Sequence, residues 1–146
     1  VDTDSDTLSP DQDARLRASI ARQTLLTTLG IGIASLAPGR VVLELPFRAD
    51  LCQQNGFVHA GALTTLADSA CGYAAMSLQP LDHDILTVEF KVNLMSPAVG
   101  DRFQAIATVI RSGRTLTICQ AEVTSDTTDS RPMALMQATL MAIPSA

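Results

Sequence analysis

"FVHAGALTTLADSA", residues 57–70, is the stretch on which the fold turns. Leu63, Leu66, Ala67, Ala70 and Ala74 recur at helical spacing, which predicts one long helix from about Ala60 to Leu78. Its side chains are small (Ala60, Gly61, Ala62, Ala67, Ala70, Gly72, Ala74, Ala75), so a sheet can close tightly around it. The helix is mostly apolar, yet it carries Asp68, nine residues after His59. A carboxylate taken out of water without partners is costly. At 100° per residue Asp68 lies off the centre of the apolar stripe, in line with Gly61, Thr64 and Gly72. Two readings of it stay open on the residues alone: an acid facing a ligand, and a solvated or Thr-paired structural acid.

Working outward from the helix, residues 85–95 alternate. Leu86, Val88, Phe90, Val92 and Leu94 form one face, expected to be buried; Thr87, Glu89, Lys91 and Asn93 form the polar face, turned away from the helix. Residues 102–111 and 114–124 are β-rich and join at Ser112-Gly113, a two-residue hairpin signal. After "SDTTDS", residues 132–143 make the last strand. Upstream, "GIGIASLAPGRVVLELPF" reads as two strands meeting at Pro38-Gly39, with Val41, Leu43, Leu45 and Phe47 on one face. Residues 48–58 form a loop. Ser9, Pro10 and Gln12 supply a capped start for a helix expected to run to about Leu29 through Leu16, Ile20 and Leu26. Residues 1–8 are acidic and expected to fray. Helix, two strands, long helix, four strands predicts a single α+β domain over 1–146, its antiparallel sheet wrapped around the central helix.

Composition narrows the function. The net charge of −5 argues against general nucleic-acid binding, and a phosphate-bearing ligand must find a local basic patch. No apolar run approaches the roughly 20 residues of a membrane span, and no signal-peptide pattern is evident. Three cysteines, Cys52, Cys71 and Cys119, in apolar or strand-like settings suit reduced thiols in a cytoplasm-like compartment. None stands at metal-ligand spacing and only two His exist, so no zinc site is expected. Cys52 is read as a packing residue rather than a nucleophile, and His83 as a solvated loop residue.

The helix start has chemistry of its own. His59, Ala60 and Gly61 open it where N–H groups lack partners and the dipole is positive, a setting that can hold an oxyanion. Ala60 and Asp68 are eight residues apart, about 12 Å along the axis. A catalytic acid and an oxyanion donor must both come within about 3–3.5 Å of one carbonyl. One helix cannot place both there. Two antiparallel copies can, so a catalytic motif implies a two-fold dimer with two shared sites.

"QQNGFVHAGALTTLADSA", "TVEFKVNLMSPAVGD" and "VIRSGRTLTICQAEVTSD" together resemble the hot-dog-fold acyl-CoA thioesterases of the phenylacetate-pathway type, over roughly residues 20–143. The resemblance implies a long helix wrapped by an antiparallel sheet, dimerised through the sheet and often paired again into a tetramer. It implies hydrolysis of a coenzyme A thioester with no cofactor. Asp68 then matches the catalytic acid, as base or nucleophile. His59 matches the motif His, and the Ala60 N–H the oxyanion donor of the opposite subunit, with Gly61 beside it. Gln53 stands where relatives contact the thioester, with Asn55 as its rival. Thr87 stands where some relatives carry a Ser that orients water. Arg111, Gly113 and Arg114 are candidates for the coenzyme A phosphates, with Lys91 and Arg131 behind them. The usual His-Gly-Gly is His-Ala-Gly here: an Ala N–H still donates unless the position needs a positive φ, and the added methyl is expected to narrow access to the carbonyl. Two rivals remain: an acyl-CoA hydratase or dehydratase on the same fold, and a non-catalytic acyl-CoA-binding module.

Overall fold

The computed structural model describes residues 6–127 and 131–146. Most of the expected tail and part of the loop after Ser125 lie outside these residues. Helix α1 (Pro10–Arg22) begins as the residues dictate: Ser9 Oγ accepts from the Gln12 N–H at 3.2 Å and Pro10 takes the first turn. The helix does not run to Leu29. Gln23 leaves helical backbone, and a separate short helix α2 (Thr24–Leu29) follows, closed by Gly30 at φ 78°. A tertiary contact accompanies the break: the Gln23 amide donates to the Tyr73 hydroxyl at 2.7 Å.

Strands β1 (Gly32–Ala37) and β2 (Arg40–Pro46) form the first hairpin, and helix α3 (Ala60–Met76) follows. Strands β3 (His83–Leu94), β4 (Arg102–Ser112), β5 (Leu116–Ser125) and β6 (Ala134–Pro144) complete one antiparallel sheet in the order β1-β2-β4-β5-β6-β3. Helix α3 stops two residues short of the expected end. The Ser77 hydroxyl bonds the Ala74 carbonyl at 2.6 Å and accepts from the Gly39 N–H at 2.8 Å, tying the helix terminus to the β1–β2 turn.

The core lies between α3 and the concave face of the sheet. Val41, Leu43, Leu45, Phe103, Val123, Met136 and Leu140 are fully buried against Leu66, Ala67, Ala70 and Ala74. Ala105, Ala107 and Ala121 face the helix from the central strands, so small residues on both sides permit the close approach. Helix α1 is pinned across the α3–β3 connection: the Gln12 side chain donates to the Gln79 carbonyl at 2.7 Å and Arg15 to the Pro80 carbonyl at 3.0 Å.

Strand β3 departs most from the expected pattern. It is an edge strand paired only to β6, and the ladder skips Val88: Thr87 opposes Leu140, and Glu89 opposes Thr139. This bulge inverts the alternation midway. Phe90, Val92 and Leu94 share the face of buried Ala138, Met136 and Ala134, whereas Leu86 pairs Met141 on the outer face. Thr87 therefore shares the helix-facing side with Leu140. The face expected to be buried is broken in two, and Leu86, Val88, Phe90 and Leu94 are each about half exposed in the single chain.

The β4–β5 turn spans three residues, Gly113–Thr115, rather than two. Gly113 donates to the Leu116 carbonyl at 2.8 Å, and a Cβ on it would fall 2.7 Å from that oxygen. Gly113→Ala is expected to cost about 1–3 kcal/mol by denaturant titration, because the clash is with backbone that cannot swing aside. An unchanged unfolding midpoint would show that the turn relaxes freely.

Candidate active site

Asp68 projects from α3 toward β3, where the Thr87 hydroxyl donates to its Oδ1 at 2.8 Å. Thr87 is thus turned toward the acid, not away from the helix, and the Val88 bulge is the reason. The carboxyl is half-buried. Burial pushes its pKa above the ordinary carboxylate value, and the Thr87 hydrogen bond partly opposes the rise by favouring the charged form. Asp68 lines a cleft of about 320 Å³ between α1, α3 and β3, shared with Ser19, Arg22, Gln23, Ser69, Tyr73 and Asp84.

The balance of those two effects gives a test. Thr87→Val removes the contribution that lowers the Asp68 pKa and leaves burial unopposed. If Asp68 is the titrating base, the acid limb of kcat/KM is expected to move to higher pH, alongside a drop in kcat. An acid limb that stays in place while kcat falls would take Thr87 out of contact with the titrating group.

His59 is the N-cap of α3. Its Nδ1 accepts from the Gly61 N–H at 2.8 Å, so the neutral ring carries its proton on Nε2. The ring does not line the Asp68 cleft. It lines a second one with Leu25, Leu29, Cys52 and Ala62. Although Cys52 shares that cleft, its thiol points to the Arg48 carbonyl at 3.7 Å, consistent with packing.

Ala60 is the first residue of α3, and its N–H has no acceptor among the described residues. Because the position is helical, an alanine fits there without strain. Ala60 opens onto a third cleft, about 500 Å³ and largely apolar, with Gln53, Phe57, Leu63, Leu94 and Met95. Gln53 is held by a local turn: its N–H donates to the Phe57 carbonyl at 2.8 Å, and its side-chain oxygen accepts from the Asn55 N–H. Gln53 reaches the Ala60 cleft; Asn55 is exposed and does not line it.

Within one chain, therefore, Thr87 joins Asp68, while Gln53 and Ala60 stand together elsewhere. Arg111 and Arg114 are exposed at the β4–β5 tip, Lys91 is exposed on the outer face opposite Gln137, and Arg131 is also exposed. None of the four lines the Asp68 or Ala60 cleft. The cation that does is Arg22, which sequence reasoning missed. No local pattern marks it, because only the docking of α1 on Tyr73 brings it to Asp68. Among the described residues no cluster of three His, Cys, Asp or Glu could hold a metal, and no helix is long and apolar enough to cross a membrane. All three cysteines are free thiols.

Comparisons with known proteins bear on the fold and the family. The family model described as thioesterase superfamily matches residues 55–130, from the loop before α3 into the β5–β6 connection. The crystal structure of a thioesterase family protein from Silicibacter pomeroyi is 48% identical, with a TM-score of 0.87 over 92% of this chain and 99% of that one. The PaaI protein of the E. coli phenylacetic acid degradation operon, at 23% identity, shares the fold with a TM-score of 0.85 over 96% of this chain and 99% of its own. The 1,4-dihydroxy-2-naphthoyl-CoA hydrolase of Listeria monocytogenes is 28% identical over 70% of this chain and 84% of that protein. A single long helix wrapped by six antiparallel strands is the hot-dog fold of these proteins. With more than half of its length matched by the family model, this chain belongs to the thioesterase superfamily and is a thioester hydrolase.

Proposed function

We propose that the chain hydrolyses a thioester of coenzyme A at a site shared by two copies. Asp68 of one protomer takes a proton from a water that adds to the thioester carbonyl, or adds to the carbonyl itself to give an acyl anhydride that water then hydrolyses to the free acid. The Ala60 N–H of the other protomer receives the developing oxyanion. The C–S bond then breaks, and coenzyme A leaves as its thiol once the sulfur is protonated. The observation that carries this reading is the half-buried Asp68 carboxylate, bonded by Thr87 on the wall of an open cleft, with an unpartnered N–H at the far end of the same helix.

The unpaired edge of β3 supports the dimer. It is twelve residues long and carries half-exposed Val88, Phe90 and Leu94, an edge that a soluble protein ordinarily covers. A two-fold axis at this edge extends the sheet and sets the two α3 helices antiparallel, so each helix start lies beside the other's middle. The Listeria relative's acyl-CoA substrate supports coenzyme A as the carrier.

The test is a panel of aryl, short-chain and medium-chain acyl-CoA thioesters, followed by free-thiol release. Turnover of at least one class is expected. A parent protein that binds these thioesters and hydrolyses none would overturn the proposal in favour of a binding module.

A further inference from the structure

The Asp68 cleft has a charged wall that hydrolysis as described does not use. Arg22, the last residue of α1, lines it beside Ser19, Gln23 and Tyr73. Its location is anchored. The neighbouring Gln23 amide donates to the Tyr73 hydroxyl at 2.7 Å, and Ser19 Oγ lies 3.2 Å from the same oxygen. Tyr73 follows Asp68 by five residues on α3, a rise of about 7.5 Å between the two residues along that helix, so α1 docks near the acid.

Arg22 has no salt-bridge partner among the described residues. Asp84, the other acid on the cleft, stands in the field of Arg15. The ionisation of Asp68 answers to burial and to Thr87, with no contribution from Arg22. The guanidinium therefore neither pairs with the base nor tunes it. Its planar fork matches a carboxylate or phosphate. Met76 and Ile85, on the same cleft, offer apolar contact to an intervening chain.

We propose that Arg22 makes the enzyme selective for acyl groups that end in a carboxylate, with the thioester carbonyl at Asp68 and the distal carboxylate on the guanidinium. This rests on the hydrolytic reading above. Arg22 and Asp68 line the same cleft, so a short dicarboxylic chain can reach from one to the other within it. The phosphates of coenzyme A lie on the other side of the thioester, beyond the long pantetheine arm.

The experiment measures kcat/KM for matched pairs, glutaryl-CoA against pentanoyl-CoA and adipyl-CoA against hexanoyl-CoA, on the parent, Arg22→Gln and Arg22→Glu. The parent is expected to favour the carboxylate member by about tenfold or more, the scale of one charge-assisted contact in a wet cleft. Arg22→Gln brings the ratio to about one, chiefly through KM, and Arg22→Glu inverts it. If Arg22 instead held a phosphate, both members would weaken equally, and the effect would vanish with acyl-pantetheine thioesters, which lack the nucleotide; that outcome overturns the proposal. So does a parent without preference. Calorimetric binding of the same pairs to Asp68→Asn, with and without Arg22→Gln, separates the two readings. A binding preference that depends on Arg22 without turnover of any thioester sinks hydrolysis and keeps Arg22; turnover without any preference does the reverse.

Discussion

Asp68→Asn is expected to lower turnover of the best acyl-CoA substrate by at least about 100-fold, the scale of a central acid–base group. The amide keeps the shape of the carboxyl and can still accept from the Thr87 hydroxyl, so the 2.8 Å contact and the cleft should survive. What goes is the ability to take a proton from water or to attack a carbonyl. The same substitution should act on stability in the opposite direction. Burial raises the folded-state pKa of Asp68. A group of this kind contributes stability that is fully present below its unfolded pKa, near 4, and lost as pH rises through the folded value. At pH 7 the charged side chain is therefore a burden on the fold. Asp68→Asn should melt higher than the parent at pH 7, with the difference shrinking toward pH 3.5. A variant with unchanged turnover would remove Asp68 from the chemistry; one that melts lower at pH 7 would contradict the burial account.

Ala60→Pro is expected to reduce kcat by about 100- to 1,000-fold, the cost of one oxyanion donor. Proline deletes the N–H and little else. Ala60 is the first residue of α3, where proline is favoured, and His59 at φ −62°, ψ 140° already has the extended backbone that a residue before proline requires. The melting temperature should stay close to the parent's, which separates lost chemistry from lost fold. The pair of variants also tests the shared site. In a mixed dimer of Asp68→Asn and Ala60→Pro protomers, one site draws its acid and its donor from intact residues, and the other has neither. Random mixing makes half of the dimers mixed, with one intact site of two, so about a quarter of parental activity should return. Complementation of this kind is impossible if each chain holds a complete site, and its absence in a verified mixed dimer would end the two-chain mechanism.

Much of the fold was legible because it rests on local periodicity. The α3 stripe of Leu63, Leu66, Ala67, Ala70 and Ala74 and the β2 face of Val41, Leu43 and Leu45 are buried as their spacing predicts. The Ser9 cap and the His59–Ala60 start of α3 stand where side-chain chemistry puts them. The break at Gln23 was not legible, since its partner, Tyr73, is fifty residues away. Nor was the bulge at Val88: an unbroken alternation of side chains in 86–94 gives no sign that the ladder skips a residue. That bulge turned Thr87 onto Asp68, so the strand read as having a polar outer face supplies the acid's hydrogen-bond partner.

The amino-acid sequence by itself determined the class of the fold, the element that carries the acid, and the separation between Asp68 and the helix start, because each follows from repeat spacing along one segment. Only the tertiary structure decided what surrounds the acid. Thr87 arrives through a skipped residue in β3, Arg22 through the docking of α1 on Tyr73, and Gln53 reaches the Ala60 cleft through a turn closed by Phe57. Those neighbours depend on how segments pack against one another, and packing is set by contacts between residues far apart in the chain, which no local pattern encodes.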